Sequence, residues 1–466
     1  MQLQIKPGLR RVWREAGVLQ IGLSRRRGTV VSGLTAADVP LLEQLRDGVD
    51  AAVFERDDEG LTASRRRELT SLLSSAGVLV GTGVDRPSRE SLGVAGERLA
   101  PDAAVWSVVH PDVGDGWRLL ADRSTRRVVI SGAGRLGSTL ATTLTAAGVG
   151  EITISDQRRV TSADLAPGGA NPPDLGRLRE DAVKDAVRRF GGRATTAGVN
   201  GLNGLAGPTG PATQSKPAAQ SKPTKPTSPT KPTSPAKPTS ATEPTAPARP
   251  HGLSAAKGPR ETGKATSGSP DRPVRPDLIV LIEHGAADAN AAGSLVSSDQ
   301  PHLSVVIRED DVVVGPLVRP GRGPCLRCLD LHRGDRDPAW PSVLAQVLRP
   351  VPGTPYPEET AASTLAAGLV ALQVLAHLDG ATEPASAGAT LEIELPDGLI
   401  ARRSWPAHPR CGCHWPPDPV ESDPERATTG AGSGPDADLT GTSADQRADR
   451  SLADARIRRL ARTMGS

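Results

Sequence analysis

The sequence predicts an α/β protein: a doubly wound nucleotide-type fold carrying a structural metal site, preceded by a small α+β module. Three observations carry that prediction. A glycine-punctuated βαβ unit runs from Arg127 to Asp156, four cysteines fall in two close pairs, and residues 1–110 read as three short strands followed by three short helices.

The βαβ unit organises the chain. Val128 to Ile130 is an apolar β-branched run, long enough for a buried strand. Gly132, Gly134 and Gly137 follow at G-x-G-x-x-G spacing, and an Ala/Thr/Leu segment then reads as a helix. Glu151 to Ser155 alternates like a second strand and ends on Asp156. The glycines allow a tight turn and close approach to phosphate. The helix N-terminus offers unpaired N–H groups and a positive dipole end, and the acid can take ribose hydroxyls. This is a Rossmann-type pattern; the alternative is a βαβ crossover that binds nothing.

A chain of 466 residues has room for two or three domains. Gly 50, Pro 43 and only 2% aromatic residues mean that much of the length is linker. Lys+Arg 56 against Asp+Glu 53 leaves a net charge of +3, so nucleic acid is not expected as the main partner. No apolar run is read as a membrane span, and the N-terminus does not read as a signal peptide, so a cytoplasmic protein is expected. Four cysteines in two close pairs suggest a metal rather than a disulfide framework.

In residues 1–110, Leu9 to Trp13, Val18 to Gly22 and Gly28 to Val31 read as strands, the last two joined by Arg25-Arg-Arg27. Thr35 can N-cap a helix through Leu45, a second helix is expected near Val49 to Glu55, and a third runs from Thr62 to Ser75 and closes at Gly77. Three strands and three helices look like a winged-helix domain, which binds DNA, takes a peptide on its strand edge, or packs without a ligand. Residues 118–200 hold the first part of the nucleotide fold; after the loop Arg158 to Gly169, Gly176-Arg-Leu-Arg179 leads into a helix to Phe190. Residues 201–275, with Lys-Pro-Thr-Ser-Pro units, read as a disordered insertion in that fold.

Residues 276–416 resume it. Asp277 to Ile282 reads as a buried strand, Leu303 to Ile307 and Val312 to Val314 as a hairpin, and Leu391 to Leu395 with Leu399 to Arg403 as another. Ala361 to Leu378 reads as a helix with Leu365, Leu369, Leu372 and Leu375 in register. Residues 417–466 read as a disordered tail, with an Arg-rich helix from Asp445 to Thr463 as an option.

Cys325-Leu-Arg-Cys328 and Cys411-Gly-Cys413 can close on one tetrahedron, and four thiolates suit structural zinc. The alternatives are unrelated buried thiols or a redox pair, with His408 and His414 near enough to substitute as ligands. His332 to Pro341 is dense in charge and reads either as a recognition segment or as a solvated ion-pair loop anchored by Trp340.

Val18-Leu-Gln-Ile-Gly22, Thr29-Val-Val31 and Gly33-Leu34 resemble the PqqD-like modules that recognise leader peptides of ribosomally made natural products. The glycine-rich βαβ unit, Gly148-Val-Gly150, Asp156, the Cys-x-x-Cys, the long helix and the final cysteine pair together resemble the ThiF/MoeB family of ubiquitin-activating-like adenylyltransferases. Asp164 to Gly169, Val314 to Val318, Cys325 to His332, Asp337 to Pro341 and His408 to Cys413 resemble its actinobacterial branch related to the partner subunit of azole-forming cyclodehydratases. That resemblance implies a Rossmann-like ThiF domain, ATP at Gly132, Gly134, Gly137 and Asp156, zinc on the four cysteines, a peptide or small-protein substrate, and a homodimer.

The sequence also departs from the family. The second acid is Arg158, the Asn is Asp164, the phosphate-gripping arginine is Pro167, the lysine is Arg179, and the metal-binding Asp falls near Glu283-His284. Adenylation is mostly positioning and electrostatics, so these losses favour a degenerate adenylyltransferase that presents a peptide to a separate ATP-using enzyme. The alternatives are an active adenylyltransferase with Arg179 and Arg158 as its catalytic cations, and, behind it, an NAD-dependent oxidoreductase.

Overall fold

The computed structural model describes residues 2–50, 61–82, 87, 89–110, 116–196, 275–349, 356–413 and 456–459. The N-terminal strands are β1 (Gln2–Ile5), β2 (Arg11–Glu15), β3 (Val18–Ile21) and β4 (Thr29–Ser32), followed by α1 (Val39–Asp47), β5 (Val49–Asp50), α2 (Ala63–Ser75) and β6 (Leu79–Thr82). Alternation along β3 and β4 sends Leu19, Ile21 and Val31 inward. There they meet Leu41, Leu42 and Leu45 of α1 and Leu69 and Leu73 of α2. The Thr62 hydroxyl accepts the N–H of Arg65 at 3.3 Å and starts α2 where the sequence places it.

Two expectations change here. Val49–Asp50 pairs with β1 as a strand rather than opening a helix, and the rest of Val49 to Glu55 lies outside the described residues. β1 and β6 complete a second antiparallel sheet, β5-β1-β6, that the three-strand reading missed. Two helices follow, α3 (Val94–Val109) and α4 (Gly116–Arg123). The buried stripe of α3 is Gly96, Leu99, Ala103 and Ser107, which has too little apolar contrast to stand out in the sequence.

The second region is one eight-stranded sheet. Its elements are β7 (Arg127–Ser131), α5 (Arg135–Ala146), β8 (Glu151–Ser155), α6 (Arg179–Arg189), β9 (Arg193–Thr196), β10 (Leu278–His284), α7 (Ala289–Ser297), β11 (His302–Ile307), β12 (Asp311–Val318), α8 (Leu326–Arg336), α9 (Trp340–Val347), α10 (Thr360–Asp379), β13 (Ala389–Glu394) and β14 (Ile400–Ser404). The strand order is β14-β13-β12-β11-β10-β7-β8-β9. β9, β8, β7, β10 and β11 are mutually parallel, and β12, β13 and β14 add antiparallel hairpins at one edge, as the two predicted hairpins require. Parallel strands covered on both faces read as continuous apolar runs, which is why Val128 to Ile130 and Leu278 to Leu281 are legible in the sequence. From β7 the chain moves to β8 on one side, whereas β10 leads to β11 on the other. The crevice between β7 and β10 is therefore the topological switch point.

α10 lies along α5, but not by its leucine row. Leu365 and Leu372 are 42% and 54% exposed, whereas Ala366, Ala367, Val370 and Val374 are fully buried. Small side chains let the two helices approach closely; Leu365 and Leu372 stand on the outer side, whereas Leu375 joins the core and Leu369 packs against it. α10 also corrects the reading that no run reaches membrane-span length, because its 20 residues are long and apolar enough by composition. Of its most apolar window 56% is buried, and the inward face belongs to the main core.

The chain divides into two compact units, Met1–Gly210 with Pro276–Ser466, and Pro211–Arg275. The predicted insertion lies outside the described residues except for Arg275, and so does the tail apart from β15 (Arg456–Arg459). β15 is a strand rather than part of an Arg-rich helix, and it pairs antiparallel with β4, Ile457 opposite Val31.

Candidate functional site

The glycine loop joins β7 to α5 at the switch point. Gly132 has φ of 100°, and a Cβ there would lie 2.8 Å from the carbonyl oxygen of Ile282. A Cβ on Gly137 would lie 1.9 Å from the carbonyl oxygen of Gly132, so the helix can start against the loop only with glycine. A Cβ on Gly134 would meet two carboxylate oxygens, Glu358 Oε2 at 3.5 Å and Asp164 Oδ1 at 3.9 Å.

Asp156 follows β8, with its side chain 2% exposed. Its Oδ2 accepts the Ala133 N–H at 2.8 Å, Arg158 Nη2 at 2.7 Å and Arg179 Nη1 at 3.3 Å. Its Oδ1 accepts the Arg158 N–H at 3.0 Å and Arg158 Nε at 2.8 Å. Those five N–H donors exceed the roughly four lone-pair sites of a carboxylate. Burial pushes this carboxyl upward, but the Arg158 fork and the Arg179 charge hold it well below the usual range.

Arg179, at the start of α6, bridges to a second buried acid. Its Nη2 and Nε donate to Asp164 Oδ1 and Oδ2 at 2.7 and 3.2 Å. Asp164 also accepts the N–H and hydroxyl of Thr161, which fixes the loop after β8. Pro167 contributes its carbonyl to the Thr139 hydroxyl at 3.1 Å and pins that loop to α5.

Across the crevice, β10 ends on Glu283 and His284. Glu283 Oε1 accepts the Asp288 N–H at 3.0 Å, and its buried Oε2 makes no hydrogen bond among the described residues. Burial pushes its carboxyl up to about 7. His284 Nε2 lies 3.3 Å from Glu358 Oε2, and its ring stacks on Tyr356 at 4.6 Å. Glu358 Oε1 accepts the Leu136 N–H at 2.9 Å. Burial works against this ion, and His284 and the Leu136 N–H bring its carboxyl below the usual range. No sequence motif marked Glu358; its place before the N-cap of a helix was the one signal available.

The four cysteine sulfurs lie within 4.8 Å of one another. Cys325 to Cys328 is 3.9 Å, Cys325 to Cys411 is 3.4 Å and Cys328 to Cys413 is 3.3 Å. A zinc tetrahedron with bonds of about 2.3 Å has edges of about 3.8 Å, so the donor set fits zinc with small adjustment. The hydrogen bond with Cys328 and burial push the Cys325 thiol up, and Cys325 and the His408 N–H hold Cys328 down to about 4. His408 is not a fifth donor: its Nε2 pairs with Asp335 at 2.8 Å and its Nδ1 accepts the Arg410 N–H. His414 lies outside the described residues. The charged segment is not a loop throughout, since His332 to Arg336 lie in α8 and Trp340 opens α9; Trp340 Nε1 donates to Asp330 at 3.2 Å, with Arg333 over its ring at 5.1 Å.

Residues 114–204, which contain the glycine loop, Asp156 and Arg179, match the ThiF family. This stretch carries a ThiF family domain. Escherichia coli MccB with ATP shares the fold at TM-score 0.54 and 13% identity, over 89% of this chain and 100% of MccB. MccB, described as a Microcin C7 biosynthetic enzyme, in complex with N-formylated MccA gives TM-score 0.54 and 13% identity over 89% and 99%. PaaA gives TM-score 0.53 and 14% identity over 85% and 98%. At these identities the likeness is one of fold. No curated protein matches the sequence. The crevice thus brings together Gly132, Gly134, Gly137, Asp156, Arg158 and Arg179, and keeps the cysteine cluster as a separate centre.

Proposed function

We propose that this chain is a degenerate ThiF-type adenylyltransferase that binds a peptide or small-protein segment and presents it to a separate ATP-using enzyme. The observation that carries the reading is the saturation of Asp156. The carboxylate that should accept ribose hydroxyls accepts Arg158 and Arg179 instead, and the two cations neutralise the chain's own acids. Adenylation needs free cations on phosphate and a held metal, because its rate comes from positioning and electrostatics. The four cysteines would hold zinc as a structural ion, tying the N-terminus of α8 to the segment after β14.

The peptide would bind the PqqD-like module in residues 1–110. Its β4 edge already pairs with a strand of the chain's own, Arg456–Arg459, so the edge can take an extended backbone by strand addition. MccB, which shares the fold, has been crystallised with N-formylated MccA, in keeping with a bound macromolecular or peptide ligand here.

A second reading is an active adenylyltransferase using Arg179. It is favoured by the position of that guanidinium, 13% exposed between Asp156 and Asp164 beside the glycine loop. ATP–pyrophosphate exchange on the zinc-loaded full chain, with candidate peptides bearing a free carboxylate, separates the two. The scaffold reading expects calorimetric peptide binding without ATP and no exchange. Exchange above background would overturn it and make Arg179 the first residue to substitute.

A further inference from the structure

We propose that this chain closes its own nucleotide crevice, with the Glu358 carboxylate seated in the phosphate position at the N-terminus of α5. The inference deepens the scaffold reading, from which it takes the crevice as the nucleotide site, and it concerns how that site is regulated.

A glycine loop leading into a helix presents bare N–H groups to an anion. Here an anion is already present. Glu358 Oε1 takes the Leu136 N–H at 2.9 Å and the Ser363 hydroxyl at 3.2 Å, while Oε2 faces His284 at 3.3 Å and Gly134. The backbone of the same segment is clamped too. Arg135 Nη1 donates to the Glu358 carbonyl at 2.8 Å and to the Thr360 hydroxyl at 3.0 Å. Tyr356, stacked on His284, extends the contact to the end of β10. The segment 356–359 therefore spans the switch point from β10 to α5, the place where an open α/β sheet takes its ligand.

The arrangement excludes phosphate for two reasons. The Leu136 N–H is used, and a second anion beside Glu358, whose side chain is 12% exposed, would meet like charge with little water between them. The Arg135 guanidinium, which could otherwise face phosphate, is turned onto the Glu358 and Thr360 oxygens. A triphosphate enters when Glu358 withdraws, and Glu358 re-seats when it leaves.

The test is calorimetric binding of ATP, and separately of inorganic pyrophosphate, to the zinc-loaded full chain. Wild type is compared with Glu358→Ala and Glu358→Gln. Both variants should bind ATP at least about tenfold tighter than wild type, a change of about 1.4 kcal/mol. Pyrophosphate should show the same gain, because the gain belongs to the phosphate position and not to ribose or base. Equal affinity across the three proteins, or weaker binding by the variants, would overturn the proposal. Glu358→Gln keeps the side-chain size and an acceptor for Leu136, so it carries the test if the alanine variant fails to fold. The two readings fail separately. Exchange activity in the wild type overturns the scaffold and leaves the closed crevice standing, whereas absence of a binding gain removes the closed crevice and leaves the scaffold.

Discussion

At the residue scale, the crevice is governed by which charge meets which. Arg158 lies two positions beyond Asp156, close enough for its fork to fold back on the same carboxylate. The sequence carries both residues but not that return, which depends on the rotamer of Arg158 and on the loop after β8. Glu283 illustrates the opposite case, a buried acid whose second oxygen has no donor among the described residues. Its carboxyl titrates at about 7 in the fold, against about 4.3 in an unfolded chain. Between those values the unfolded chain has released the proton and the folded chain still holds it, so stability falls as pH rises from about 4 to about 7. We expect Glu283→Gln to remove roughly 3 kcal/mol of that decline by pH 8, with little effect at pH 4. Urea unfolding of both proteins across that range measures it, and parallel pH profiles would disprove it.

At the element scale, the cysteine pairs connect the first turn of α8 to the chain after β14. Trp405, 5% exposed, packs with them and donates its indole N–H to Thr390 at 3.0 Å. Removing the proposed zinc with a chelator should therefore loosen a local unit. Amide exchange should rise around Cys325–Leu329 and Trp405–Cys413 while β7 and β8 keep their protection, because local openings follow packed units. Uniform exchange across the sheet would mean that the metal holds the whole fold. α10 makes a different test. Ala366 is fully buried against the core, so Ala366→Leu should cost about 1–3 kcal/mol through overpacking. Leu372, 54% exposed, should tolerate Glu within about 0.5 kcal/mol in the monomer. Denaturant midpoints of the two variants rank them, and the reverse order would place Leu372 inside.

At the scale of the whole molecule, one buried ion pair joins segments far apart in the chain. Arg123, at the end of α4, donates Nε and Nη2 to both oxygens of Asp379 at 2.7 and 2.5 Å, and the two side chains are 1% and 2% exposed. The Trp106 ring lies 4.6 Å from the guanidinium. The pair ties the helices preceding β7 to the C-terminus of α10. Asp379→Ala should cost about 3–5 kcal/mol, because it leaves a buried guanidinium without its carboxylate. The double change Arg123→Met with Asp379→Leu should cost clearly less. A chemical denaturation cycle over the single and double variants reads this directly, and additive losses would count against a coupled pair.

The same scales separate what is legible in the sequence from what is not. Local rules are enough for the βαβ unit, both hairpins, the helix ending near Phe190 and the cysteine set. Each rests on residues adjacent in sequence whose period, turn chemistry or spacing is set by backbone geometry. Those rules suffice for an α/β chain with a glycine-loop crevice and a metal-ready thiolate quartet. How the crevice residues are used is settled by the packed fold. Arg158 and Arg179 converge on Asp156, and Glu358 reaches the glycine loop from more than two hundred residues downstream. Packing also selects which face of α10 is inside, because a row of leucines and a row of alanines fit a helical period equally well. The choice between them depends on how closely α5 can approach, and that distance is a property of the packed pair rather than of either segment.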